Sequence, residues 1–246
     1  MDQYKLRESI SRNPDARLRD LVAELLYQDI VALRIRPGTR LNVNHLASTL
    51  GISRTPVAEA VVKLSEIGFV TAHPGQNGYY VLELSMKDMI SLYQVRSAIE
   101  CEAAALCAHN VDAKTMRRLS ELAEAFKDSV IRRDLRGMKD TDMPFHQLLI
   151  DACGNSYLQR CYELLLPKLT MYQGSMTEFI ANSGNDNPWM TSVQYNHIAV
   201  VSAIRLRLPE LARQSMDDHV TASLNFTSMA GHGGDPFAVL HGKNEG

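Results

Sequence analysis

Four residues in the second half of the chain have the types and spacing of a metal-ligand set. Asp142 and His146 are four apart, so on a helix both side chains leave from the same side. His197 falls in Tyr195-Asn196-His197-Ile198 and His219 in Met216-Asp217-Asp218-His219-Val220, each inside a predicted helix. Three imidazoles and one carboxylate from three helices could converge on one divalent cation. That donor set suits Zn²⁺, Ni²⁺, Mn²⁺ or Fe²⁺, and helical bundles build such sites in their interiors. The plainer reading is that each histidine is an ordinary hydrogen-bonded side chain, because spacing along the chain does not show that the helices face one another. Pro144, between Asp142 and His146, marks either a helix start or a bend.

The elements that must position these residues follow from apolar periodicity. From Ser85 the chain reads as helix after helix. Ser85 is an N-cap candidate with Asp88 in the first turn. The first helix runs to about His109 and the second starts near Asp112. The third covers Lys139 to Ala152 and stops at Gly154-Asn155. The fourth spans Tyr157 to Phe179 with Pro167 bending it, and Asn182 to Pro188 is a loop. The fifth runs from Trp189 to Arg207, and the sixth from Pro209 to Met229. The expected fold is therefore mainly α, with a C-terminal all-α bundle of about six helices over residues 83–230 and a Gly-rich tail over 231–246.

A different pattern occupies residues 1–82. Residues 1–14 are polar and expected to be loose. A helix follows over Arg17 to Leu33. Leu46, Ala47 and Leu50 then carry the spacing of a short helix, broken at Gly51-Ile52-Ser53. Gly51 suits the left-handed corner of a helix-turn-helix. Ser53 can cap the next helix, Pro56 sits in its first turn, and Val57, Ala60, Val61 and Leu64 form its core stripe. Phe69-Val70-Thr71 and Tyr79-Tyr80-Val81 flank the turn residues His73 to Gly78. Helix, tight turn, helix and a two-stranded hairpin make a winged helix-turn-helix. In such a unit the second helix enters the DNA major groove and its first residues meet base edges.

Ser53-Arg54-Thr55-Pro56-Val57 with Glu59-Ala60, and the lead-in Arg36-Pro37-Gly38-Thr39-Arg40-Leu41, closely resemble the GntR family of bacterial transcription regulators. The resemblance implies that Arg54, at the head of the recognition helix, contacts base edges or phosphate and that Arg40 contacts the DNA backbone or groove, with Thr55 a third contact. Ser53 and the wing residues His73 and Gly75 complete the expected DNA-binding set. Two positions depart from the family pattern: Ala58 stands where Arg is common, and His73 to Gly78 holds no Arg or Lys. Residues 85–229 resemble the FCD ligand-sensing domain of the FadR-like branch. The matching motifs are Arg96-x-x-x-Glu100, Asp142-x-x-Phe145-His146, Gly154-Asn155, His197 with Ala203-Ile204, and Met216-x-x-His219. Six bundle helices rather than seven look like the VanR-type subgroup. The resemblance implies that Asp142, His146, His197 and His219 bind the metal and that a small organic acid binds beside it. Arg96 is then either that acid's counter-charge or merely the i,i+4 partner of Glu100. It also implies a homodimer on a near-palindromic double-stranded operator, with repression released by ligand the usual sense. The rival readings are a metal-dependent hydrolase and a DNA-binding protein whose metal is only structural.

The totals agree with a folded cytoplasmic regulator. The 246 residues leave room for two domains, and 45% are hydrophobic. No apolar run is long enough for a membrane span, and the N-terminus lacks the apolar core of a secretory signal. Cys101, Cys107, Cys153 and Cys161 form no C-x-x-C pair and read as buried thiols. Net charge is −2, but residues 1–82 hold 10 Lys+Arg against 8 Asp+Glu. A local basic face on a neutral chain is enough to steer to phosphate.

Overall fold

The computed structural model describes residues 3–72, 78–182, 193 and 195–230, in two compact units that divide between Leu84 and Ser85. The first unit holds α1 (Gln3–Arg12), α2 (Leu18–Val31), β1 (Arg40–Leu41), α3 (Val43–Leu50), α4 (Arg54–Glu66), β2 (Val70–Ala72) and β3 (Tyr79–Val81). Its core is the set of stripes read from the sequence. Val22, Leu26 and Ile30 of α2, Leu50 of α3, and Val57, Ala60, Val61 and Leu64 of α4 are buried together. Asn42 opens α3 by accepting from the His45 amide, and Gly51 closes it at φ 66°.

Several expectations change here. Residues 3–12 are helical, not loose, because Leu6 is buried while the polar residues around it stay exposed or half-buried. The wing has a third strand. β1 pairs antiparallel with β3, Arg40 opposite Tyr80, giving the order β1-β3-β2. Ser53 occupies the N-cap position of α4 in extended conformation, yet its side chain makes no capping hydrogen bond.

The second unit holds α5 (Met86–Asn110), α6 (Ala113–Arg132), α7 (Leu135–Ala152), α8 (Ser156–Asn182), α9 (Asn196–Arg205) and α10 (Pro209–Ala230). Ser85 caps α5 through the Asp88 amide, as its sequence suggested. The third helix starts four residues earlier than expected, because Asp134 accepts from the Gly137 amide and caps it there. It continues through Pro144, and α8 continues through Pro167. Six helices are complete among the described residues, and Val193 is helical as well. The 182–188 loop beyond Asn182, the Trp189 helix start, the 231–246 tail and the six-or-seven helix distinction lie outside the described residues. Cys101, Cys107 and Cys153 are buried thiols, but Cys161 is exposed on the outer side of α8. No helix is long and apolar enough to cross a membrane among the described residues.

At Gly51 the positive φ and the crowding can be separated. An added Cβ would overlap the Gln3 side chain, which is flexible, whereas the left-handed backbone is fixed by the turn. Gly51→Ala is expected to lower the stability of the N-terminal unit by about 1–2 kcal/mol, the usual cost of left-handed backbone for an L-residue. Adding Gln3→Ala should not restore it. Urea unfolding followed by amide exchange in α2 and α4 checks this; full recovery in the double variant would place the cost in the crowding instead.

Candidate functional site

The i,i+4 spacing on α7 puts Asp142 and His146 on its inner side, His197 enters from the first turn of α9, and His219 from α10. The four converge: one ligand atom from each lies within 4.8 Å of all the others. His146 Nε2 is 3.3 Å from His197 Nε2 and 3.0 Å from His219 Nε2. Asp142 Oδ1 is 3.6 Å from His146 Nε2 and 3.4 Å from His197 Nε2. All three histidines are buried, while the Asp142 side chain keeps 19% exposure and forms the open edge of the cluster.

Neighbouring side chains fix the rings. His197 lies stacked on Phe145, with ring centroids 4.1 Å apart, and tilted against Phe126 at 4.4 Å. His146 stacks on His219 at 4.9 Å. Behind His146, its Nδ1 is 2.9 Å from Glu100 Oε2, close but not aligned as a hydrogen bond. Glu100 Oε1 accepts from Arg96 Nε at 2.8 Å, and both residues are buried. Asp142 Oδ2 accepts from Gln173 Nε2 of α8 at 3.0 Å. The Arg96 guanidinium also lies over the Tyr93 ring, 5.1 Å from its centre. Arg96 Nη2 and the Tyr162 hydroxyl are buried without a hydrogen-bond partner in the structure.

Burial and mutual charge set the protonation states. Burial, and then the charge of His146, push His219 down to about 3. Burial and the charges of His219 and His146 hold His197 well below the usual imidazole range. His146 goes the other way: burial opposes its charge, but the Glu100 carboxylate outweighs this and raises it. Burial likewise opposes the Asp142 anion, but the His146 contact and the surrounding cations hold it well below the usual carboxylate range. For Glu100 burial is outweighed by Arg96 and His146, which bring it to about 2. The result is two neutral imidazoles and the ionised Asp142 at the cluster, with the ionised Glu100 behind His146.

These residues fit a divalent cation. Ligand atoms about 2.0–2.2 Å from one ion stand about 3–3.5 Å apart; the separations from His146 and between Asp142 and His197 are 3.0–3.6 Å, and all four atoms lie within 4.8 Å of one another. Neutral imidazole nitrogens offer lone pairs, and Glu100 behind His146 is the outer carboxylate that metal-binding histidines usually have.

The sequence picked out all four clustered residues. It placed Arg96 either on a ligand or on Glu100, and the structure shows the Glu100 pair. It missed the Glu100 contact to His146, the ring packing of Phe126 and Phe145 on His197, and Gln173. Arg54, Thr55 and Ser53 are exposed at the head of α4, and Arg40 is exposed on β1 beside Gly78. His73 and Gly75 lie outside the described residues.

The two units define a class: a winged helix-turn-helix followed by a helical domain with a buried His₃Asp cluster. The model of bacterial regulatory proteins of the gntR family matches residues 18–81, and that of the FCD domain matches residues 91–222. The chain belongs to the GntR family, in the branch that carries an FCD domain. It is 32% identical over 137 residues to the HTH-type transcriptional repressor RspR of Escherichia coli, a match covering 56% of this chain and 60% of that one. It is 28% identical over 217 residues to a probable D-xylose utilization operon transcriptional repressor of Paenarthrobacter nicotinovorans, covering 87% and 90%. The solved structure of E. coli McbR/YncC shares the fold at 19% identity, with a TM-score of 0.68 over 87% of this chain and 99% of that one.

In the unfolded chain a histidine takes up a proton near 6.5, whereas folded His219 stays neutral down to about 3. The unfolded state therefore binds more protons between those values, so stability falls as pH drops through that window. His197 acts in the same direction and His146 opposes it. The metal-free protein is expected to lose urea resistance from about pH 6.5 downward, and His219→Gln to flatten that dependence. Urea midpoints measured with chelator from about pH 7.5 to about pH 5 check this; a midpoint that rose toward acid would mean the two imidazoles are not held neutral.

Proposed function

We propose that this protein is a homodimeric transcriptional repressor whose affinity for a near-palindromic DNA operator is set by a small organic acid bound at a divalent cation in the helical domain. The observation that carries the reading is the convergence of three buried imidazole nitrogens and one carboxylate oxygen. Asp142, His146, His197 and His219 would hold the cation. When bound, it supplies a positive centre able to take a carboxylate oxygen at the edge where Asp142 is partly open. With neutral histidines, Asp142 and Glu100 carry two negative charges against one on Arg96. A divalent cation would leave the site at about one positive charge, and a monoanionic acid would neutralise it. Arg96 and Glu100 hold His146 from behind, and Phe126 and Phe145 fix the plane of His197.

The DNA side of the reading rests on the exposed head of α4. Ser53, Arg54 and Thr55 are exposed at the start of the second helix, whose first residues meet base edges in such units, and the exposed Arg40 would meet backbone phosphate. Ala58 is exposed one turn further along the same helix and offers no charge. The DNA contacts are thus concentrated on Arg54 and Thr55. The names of the RspR and D-xylose relatives, both repressors, agree in sign. A hydrolase would need a base to activate water; Glu100 is committed to Arg96 and His146 and does not offer one.

Metal analysis of the purified protein beside His219→Ala tests the cation. About one divalent ion per chain in the wild type, and a loss of most of it in the variant, is expected. Equal content in both would place any metal elsewhere. On a duplex selected from a random pool by the wild-type protein, Arg54→Ala should weaken binding by about 1–3 kcal/mol while leaving metal content unchanged. Unchanged affinity would remove α4 from the DNA interface.

A further inference from the structure

One helix of the bundle touches both the cation site and the point where the chain enters the bundle. On α8, Gln173 donates to Asp142 Oδ2 at 3.0 Å. The other oxygen, Oδ1, is the one that faces His146 and His197. Asp142 is thus divided: one oxygen is turned to the cation position and the other is held by α8. The preceding residue, Tyr172, is fully buried. Its hydroxyl accepts from the Ser85 amide at 3.1 Å and lies within donating distance of the Ser85 carbonyl, 2.8 Å, and of Asp88 Oδ2, 3.0 Å. One turn earlier Lys168 reaches both Asp88 oxygens at 2.7 Å. Ser85 itself caps α5 through the Asp88 amide. It directly follows Leu84, where the first unit ends.

We infer that Gln173 and Tyr172 couple the Asp142 carboxylate to the first turn of α5, so that cation binding orders the residues by which the DNA-recognition unit is tethered. This rests on the cation reading given above and extends it to regulation. The physical step is small. Asp142 would hold the cation, and a carboxylate so engaged would keep one orientation, with Oδ2 a fixed acceptor for Gln173. Gln173 and Tyr172 are consecutive on a stiff helix, so pinning one restricts the other. Tyr172 has one hydroxyl proton and two acceptors within reach, so this clamp has alternative arrangements that a fixed α8 can choose between. Ordering of this kind links two sites without a large displacement.

Zinc alone is the probe. The full chain is taken through amide hydrogen exchange with and without saturating Zn²⁺, with zinc content measured on the same samples. In the wild type, amides of Asp88 to Leu92 are expected to exchange about tenfold more slowly with zinc. Gln173→Leu should need roughly 10–100-fold more zinc to fill, as for other outer-sphere changes. Once filled, it should show no slowing at α5. Tyr172→Phe, which keeps the ring in the core, should bind zinc like the wild type and also lose the slowing. If filled wild type shows no change at Asp88 to Leu92, or filled Gln173→Leu slows as much as wild type, the coupling is wrong while the cation site stands. If the wild type takes up no zinc, the cation reading fails and the coupling fails with it.

Discussion

The helical domain depends on one electrostatic constraint: the imidazole nitrogens of His197 and His219 lie 3.3 and 3.0 Å from that of His146, with a carboxylate oxygen beside them. Such a cluster of acceptors is costly in a dry interior unless protons or a cation stand between them. Burial and mutual repulsion keep the proton off His197 and His219, while Glu100 favours it on His146. Arg96 in turn compensates Glu100. The buried ionic chain Arg96–Glu100–His146 is therefore the response of the fold to the cluster. It explains why an arginine and a glutamate are buried on α5 where apolar residues would stabilise the core at lower cost. The same chain fixes the relative placement of α5 and α7, and the two remaining histidines bring in α9 and α10.

The N-terminal unit answers a different constraint. A helix-turn-helix must turn sharply and still bury both helices, and Gly51 at φ 66° supplies the turn. Leu50 on one side and Val57 on the other are then buried in the same core. The residues between them, Ser53 to Thr55, are left outward by the same geometry. Exposure of the recognition head is thus a consequence of how the core closes. β1 adds a strand to the wing and brings Arg40 opposite Tyr80, so the backbone of this exposed basic residue is placed by strand pairing.

What was legible in the sequence follows from the range of the signal. Asp142 and His146 declare themselves by a local period of four, and Gly51, Ser85 and Pro56 by local backbone chemistry. His197 and His219 were legible as polar residues inside apolar helices, but their convergence required a family pattern. Contacts across the bundle carry no such mark. Glu100 reads as the i,i+4 partner of Arg96, which it is, and nothing local shows that its second oxygen faces His146. Gln173 lies in a run with no acidic or metal-type neighbour, and Phe126 and Phe145 read simply as core. The failures at the chain ends of elements have the same origin. α1 has one buried residue, Leu6, and β1 has two residues in all, too few for a period to emerge. The third helix begins early because Asp134 reaches the Gly137 amide, and a glycine three residues into a helix argues against that start on propensity alone.

A regulator controlled by a small ligand must convert binding into a change of DNA affinity, and a ligand can shift such an equilibrium only by binding one state better than the other. Here the His₃Asp cluster has two distinct edges. Arg96, Glu100 and the stacked rings form a closed side, already compensated and packed, which has little freedom to respond. Asp142 forms the other side; it is partly open and carries one oxygen toward the cluster and one toward α8. On the reading proposed above, a ligand at the cation would enter at the edge where Asp142 is partly open, beside the one cluster residue whose second oxygen is held by α8. Differential affinity between two states would then arise on the Asp142 side and not on the closed side.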